Sequence, residues 1–253
     1  AQTRFAFKAG ATQMLFLQHV IDSLKPGGRC GMVLDEGVLF RTNETAFVQT
    51  KRKLLDECNL YCIVSLPGGV FSAAGAGVKT NLLFFDKGEP TEKVWYYDLS
   101  DIKVGKRNPF TIDKFDDFFK LLPKRQKSDR SWTVDFAKRK QQAAKDSAPF
   151  KKQSKAKQQE ANRWRDELKE LQKAKPARKA KIQEAEEQAK TLTKEARELA
   201  ARAEDIENAV YDLKAVNPNK QADEDKRTPA ELLDIIEAKG REVAEALAAL
   251  RAL

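Results

Sequence analysis

The chain has 253 residues, with 47 Lys and Arg against 38 Asp and Glu and a formal net charge of +9. No apolar run approaches the length of a transmembrane helix, and no signal-peptide core opens the sequence. Three cysteines without CxxC spacing and a single histidine, His19, argue against a disulfide scaffold, a cysteine-built zinc site and histidine-based catalysis. Free thiols fit a reducing, cytoplasmic setting.

Residues 1–150 hold all 14 Phe and all but one of the 12 Gly. Helical apolar spacing (Met14, Leu17, Ile21, Leu24) predicts a first helix over 11–24, stopped by Lys25-Pro26-Gly27-Gly28. A short apolar run at 29–34 reads as a buried strand. Phe47, Lys51, Leu54 and Leu55 place a second helix over 44–58. Strands follow at 60–66, 78–85 and 93–99. Pro67-Gly68-Gly69 separates the first two, and Lys87-Gly88-Glu89-Pro90 invites an antiparallel hairpin between the last two. Alternating helices and strands predict a mostly parallel α/β sheet. The pattern is that of the second half of a Rossmann-like, doubly wound sheet, because the opening strand and glycine-rich ligand loop are missing.

From residue 151 onward the composition turns to Ala, Glu, Lys and Gln, which build long helices. Ile182, Ala185, Ala189, Leu192, Ala196, Leu199, Ala203, Ile206, Val210 and Leu213 step by three and four, a coiled-coil-like stripe. Pro176 predicts a kink or turn upstream, and Asn217-Pro218-Asn219 a helix stop. Thr228-Pro229-Ala230-Glu231 has the pattern of a capping box that starts a last helix. Its face of Leu232, Ile236, Val243, Leu247 and Leu250 is built to dock on something.

The organisation expected is therefore an α/β part over 1–119, a basic junction over 120–152, and an all-α helical arm with a C-terminal helix over 153–253. The junction holds 11 basic and 3 acidic residues. Lys124, Arg125, Lys127, Lys138, Arg139 and Lys140 are the candidates for contact with a nucleic-acid phosphate backbone, with a solvated linker as the alternative reading of the same charge. No Walker loop, GxSxG, HExxH or Ser/His/Asp set is present, so no catalytic or metal-binding residue is assigned.

The runs LKPGGRCGMVLDEGVLF, LLDECNLYCIVSLPGGVFSAAGAGVKTNLLFFDKGEPTEKVWYYDL, DRSWTV and VNPN…RTPAELLDIIEAKGREVAEALAALRAL occur in the order that resembles the modification subunit of type I restriction-modification enzymes. The resemblance covers nearly the whole chain. It implies a DNA adenine-N6 methyltransferase using S-adenosylmethionine, with DNA, a specificity subunit and a restriction subunit as partners. The family's cofactor loop and Asn-Pro-Pro-Phe motif match no residue here, so no cofactor ligand is transferred, and the chain alone is expected not to methylate DNA. In such enzymes a later aromatic ring stacks on the flipped adenine. Phe71, after the Pro-Gly-Gly turn, is the candidate for that ring, with Phe40 second. The alternative is a non-enzymatic nucleic-acid-binding or coiled-coil interaction module. Composition alone leaves both open.

Overall fold

The computed structural model describes residues 2–72, 75, 77–105, 108–173, 179–214, 216–219 and 227–251. Two compact units divide the chain, Ala1–Asn219 and Lys220–Leu253. Five strands form one sheet: β1 (Arg29–Asp35), β2 (Cys58–Ser65), β3 (Thr80–Lys87), β4 (Lys93–Asp98) and β5 (Ser131–Asp135). Around it lie α1 (Thr12–Ser23), α2 (Glu36–Phe40), α3 (Thr45–Glu57) and α4 (Asp116–Leu121). The expected helices and strands are all present within a few residues of their sequence positions. α2, α4 and β5 are additional.

The sheet order is β1-β3-β2-β4-β5. This corrects two expectations. Only β2 and β4 pair in parallel, while β1–β3, β2–β3 and β4–β5 are antiparallel. β3 returns between β1 and β2, which therefore run the same way without touching. Nor do β3 and β4 form a hairpin. The link 88–92 passes beneath the start of β2, a step of two strand spacings, about 10 Å. It is stapled there: Gly88 N donates to Glu57 O (2.9 Å), and Thr91 N to Leu55 O (2.8 Å). The buried Thr91 hydroxyl donates to Cys58 O (2.6 Å) and accepts from Leu60 N (2.8 Å). These bonds serve the first turn of β2, whose pairing with β4 begins only at Cys62 opposite Trp95.

The strands feed two cores. Met32, Leu34, Ile63, Leu83, Phe85, Val94 and Tyr96 face α1 and α3 on one side. Cys62, Val64, Trp95 and Tyr97 face Phe118 of α4 on the other. A bulge adjusts β2: Leu60 pairs with Phe85 and Cys62 with Phe84, so Tyr61 is the extra residue. Both Tyr61 and Cys62 then face the second core, because one added residue exchanges the faces of everything beyond it.

The arm is a helical hairpin of α5 (Phe136–Lys173) and α6 (Lys179–Asn208). α5 starts inside the stretch read as a basic junction, directly after β5. The Pro176 turn lies outside the described residues. Every position of the expected stripe is buried or half-buried, and α5 supplies the partner: Ala143, Ser147 and Ala161 are its buried face. Small residues let the helices approach, and polar bonds then stitch them. Ser154 Oγ donates to Ala196 O (2.7 Å), Arg165 Nη2 to Thr193 Oγ1 (2.8 Å), and Lys157 pairs with Glu195 (2.9 Å).

α6 stops at Asn208, earlier than the Asn-Pro-Asn signal predicts. A 3-10 turn, Ala209–Tyr211, follows, and Val210, Tyr211 and Leu213 enter the first core. Asn217 and Asn219 instead clamp the turn before β5. Asn217 Nδ2 donates to Asp129 O (2.8 Å), and Asn219 Nδ2 to Ser128 O (2.8 Å).

The second unit contains α7 (Pro229–Arg251). Its capping box forms as expected, with Thr228 N donating to Glu231 Oε2 (2.6 Å) and Glu231 N to Thr228 Oγ1 (3.3 Å). Ile236, Val243, Leu247 and Leu250 are exposed along it.

Candidate functional site

Ligands of open α/β sheets bind beyond the carboxyl ends of the parallel strands. Here β1, β2 and β4 end at one edge of the sheet, at Asp35, Ser65 and Asp98, with the start of β3 between the first two. Backbone bonds lace the three ends: Glu36 N to Lys79 O (2.9 Å), Leu66 N to Thr80 O (3.0 Å) and Leu99 N to Ser65 O (2.9 Å). After β1, Asp35 Oδ1 caps α2 by accepting from Val38 N (3.1 Å). A Cβ on Gly37 would come within 2.8 Å of that carboxylate and push the capping side chain aside. After β2, Gly69 takes φ +82°, and the Ser72 backbone and hydroxyl both donate to its carbonyl (3.1 and 2.7 Å). After β4, Arg130 grips Asp101 through both terminal nitrogens (2.7 and 2.9 Å) and donates to Asp98 O (3.2 Å).

The α2 segment is held from behind by a buried lysine that periodicity placed on the core face. Lys51 Nζ donates to Leu39 O (2.8 Å) and Arg41 O (2.7 Å), bonds that replace water for a fully buried amine. Burial pulls its pKa down to about 8, against the opposing carboxylate of Asp212. Leu39 O also accepts from Leu213 N (3.0 Å), while Tyr96 OH donates to Leu213 O (3.0 Å). Lys214 lies 3.3 Å from Glu36 and over the Phe40 ring at 5.7 Å. The end of the hairpin thus buttresses the loop beyond β1. Sequence reading missed this strut, whose one signal was a lysine in an apolar helical register.

The sequence candidates are not brought together. Phe71 is half-buried and packs on the second core, beside Val70. Phe40 is more exposed and sits under Lys214. The six basic candidates fall into two groups at opposite ends of β5, about 17 Å apart along five strand residues. Lys124 and Lys127 are exposed, whereas Arg125, left-handed at φ +47°, lies over the Tyr61 ring at 4.9 Å. In the second group Lys138 is exposed. Arg139 covers Phe136 and reaches Asp212 O (3.4 Å), and Lys140 pairs with Asp56.

No cluster of three or more metal-ligating groups occurs among the described residues. Burial pushes the Cys58 and Cys62 thiols up to about 11 and 12, which makes both poor nucleophiles. The edge acids are also spoken for: Asp35 by Val38, Asp98 by Ser100 N (2.9 Å), Asp101 by Arg130 and Glu36 by Lys214. These residues do not by themselves make a site for a nucleoside cofactor, whose ribose hydroxyls call for a free carboxylate.

A sheet with an inserted antiparallel strand, loops gathered at its carboxyl edge and a trailing helical hairpin defines a class, and comparison identifies it. The chain belongs to the N-6 DNA Methylase family, whose pattern matches residues 2–227. It is 39% identical over 125 residues to the type I restriction enzyme EcoKI methylase subunit of Escherichia coli K12, covering 45% of this chain and 23% of that relative. It is 48% identical over 87 residues to the EcoEI methylase subunit of Escherichia coli, covering 34% and 17%. The chain thus spans about a quarter or less of the curated relatives it matches. A solved structure describing complex assembly and conformational transition of the type I R-M system matches 98% of this chain and 40% of its own, at 29% identity and TM-score 0.54.

Proposed function

We propose that this chain is the later part of the catalytic domain, with its helical arm, of a type I restriction-modification methyltransferase subunit. That enzyme transfers a methyl group from S-adenosylmethionine to adenine N6 in DNA. The observation that carries the reading is the likeness to a type I R-M structure over 98% of the chain, arm included. The edge acids are committed internally, and the reading assigns the cofactor loop and the catalytic asparagine motif to no residue of this chain. What these residues contribute is a wall of the base pocket. Phe71, partly open above the second core, offers a ring face to a flipped adenine in place of its lost neighbours in the stack. Lys124, Lys127 and Lys138 are the basic candidates left free for phosphates.

The exposed apolar face of α7 supplies the surface for helices of a specificity subunit, with a restriction subunit as a further partner of the assembly. The test is methyl transfer from labelled S-adenosylmethionine to duplex DNA, using the natural polypeptide that carries this sequence together with its specificity subunit. N6-methyladenine is the expected product, and Phe71→Ala should lower turnover with the fold intact. DNA binding without label on adenine N6 would overturn the reading and leave an interaction module.

A further inference from the structure

The two helices of the hairpin carry opposite charge. Over 136–163, α5 has nine basic and two acidic residues, whereas α6 has six basic and eight acidic. Pairing consumes only part of the excess on α5. Lys151 turns to Glu207, Lys157 to Glu195 and Lys140 to Asp56 of α3. Lys138, Lys145, Lys152 and Arg163 are exposed and make no ion pair among the described residues. At 3.6 residues per turn these four fall within about 40° of one another, on a line about 38 Å long. Within about 40° of that line lie Gln141, Pro149, Ala156 and Gln159, all exposed, with Pro149 inside the helix between Lys145 and Lys152. Asp146 and Glu160 lie off it, about 60–100° round the helix.

We infer that this ridge of α5 lies along the sugar-phosphate backbone of duplex DNA and makes sequence-independent contacts. The inference rests on the reading of the chain as part of a DNA methyltransferase. Duplex DNA carries a charge about every 1.7 Å of axis, both strands counted, and a ridge about 38 Å long spans a full turn of about 34 Å, so the strands that cross it bring phosphates within reach of its cations whatever the sequence. The glutamine amides between them donate to phosphate oxygens and add register without readout. An acidic protein is a poorer fit. It would need carboxylates about 10.5 Å apart along the two seven-residue steps and about 16.5 Å apart along the last, eleven-residue step, and the ridge has no large apolar side chain to pack against. The Lys124 and Lys127 turn is not on this line, which separates the ridge from the other basic cluster.

The experiment is fluorescence anisotropy of this chain with a duplex of arbitrary sequence, across a salt series. Each phosphate contact contributes about 0.9 to the slope of log affinity against log salt. Replacing the four residues (Lys138→Gln, Lys145→Gln, Lys152→Gln, Arg163→Gln) should lower that slope by about 3 to 4, with helical circular dichroism unchanged. Lys145→Gln and Lys152→Gln alone should each lower it by about 1, which keeps the inference testable if the quadruple variant misfolds. An unchanged slope would overturn it. So would displacement of the DNA by poly-glutamate at equal charge, which would assign the ridge to an acidic protein. The adenine methylation assay reports separately. Methylation with a slope indifferent to the ridge sinks the ridge alone, and a ridge-dependent slope without methylation sinks the enzyme reading alone.

Discussion

The sheet and the helical hairpin are held by different means. In the α/β region the fully buried side chains are large, among them Trp95, Tyr97 and Phe85 of the sheet and Phe47 of α3. Trp95 stacks on Phe118 with centroids 5.6 Å apart, and Tyr96 lies nearly flat on Trp132 at 5.4 Å. In the hairpin the buried positions are mostly alanine: Ala161, Ala185, Ala189, Ala196 and Ala203. A ring removes a large apolar area from water at one point, while an alanine removes little and chiefly permits close backbone approach. The sheet therefore concentrates its stability in a few side chains, and the hairpin spreads it along its length.

That contrast sets the size of mutational effects. Trp95→Ala should destabilise the α/β region by about 3–5 kcal/mol, because it opens a cavity that the surrounding rings cannot fill. Denaturant unfolding followed by circular dichroism measures it. Ala203→Leu should cost about 1–3 kcal/mol by forcing the helices apart. Hydrogen exchange should then rise in α5 and α6 before it rises in the sheet. A larger loss from Ala203→Leu than from Trp95→Ala would break the comparison.

The smallest effect is a dependence on pH. Lys51 has its pKa lowered from 10.5 to about 8 in the folded chain. Between those values the unfolded chain binds the extra proton, so this group makes stability rise with pH from about 8. Cys58 and Cys62 act oppositely. Their folded pKa values are raised, so they lower stability once pH passes the ordinary thiol value of 9.0. The Lys51 slope is cleanest between about pH 8 and 9, as a difference between the parent chain and Lys51→Met. Equal slopes would mean that the amine stays charged between its two carbonyls.

How much could be read beforehand followed from the range of the interactions. α3 was legible because Phe47, Lys51, Leu54 and Leu55 repeat with the helical period, and the capping box of α7 because its donors and acceptors are three residues apart. The pairing of β2 with β4 was not legible. It depends on Thr91 serving the start of β2 from 31 to 33 residues away. β5 was hidden because five strand residues sit within a stretch whose charge dominates its pattern. Of the site, the position of Phe71 at a strand end was readable, but its packing on the second core was not. The basic candidates were chosen by proximity in sequence, and β5 places its own length between the two groups. The ridge on α5 follows steps of seven, seven and eleven residues, visible only once 136–163 is known to be one helix.

The bond from Tyr96 to Leu213 joins residues 117 apart in sequence. During synthesis β4 leaves the ribosome long before the segment that roofs its tyrosine. Between them lies the α5–α6 hairpin, whose own contacts are local and therefore quick to form. Once α6 folds back on α5, residue 213 is returned to the side of residue 136, and a long search becomes a short one. The hairpin thus completes the support of the loop beyond β1: Lys51 holds it from α3, and the bonds of Leu213 are added once the arm has been made.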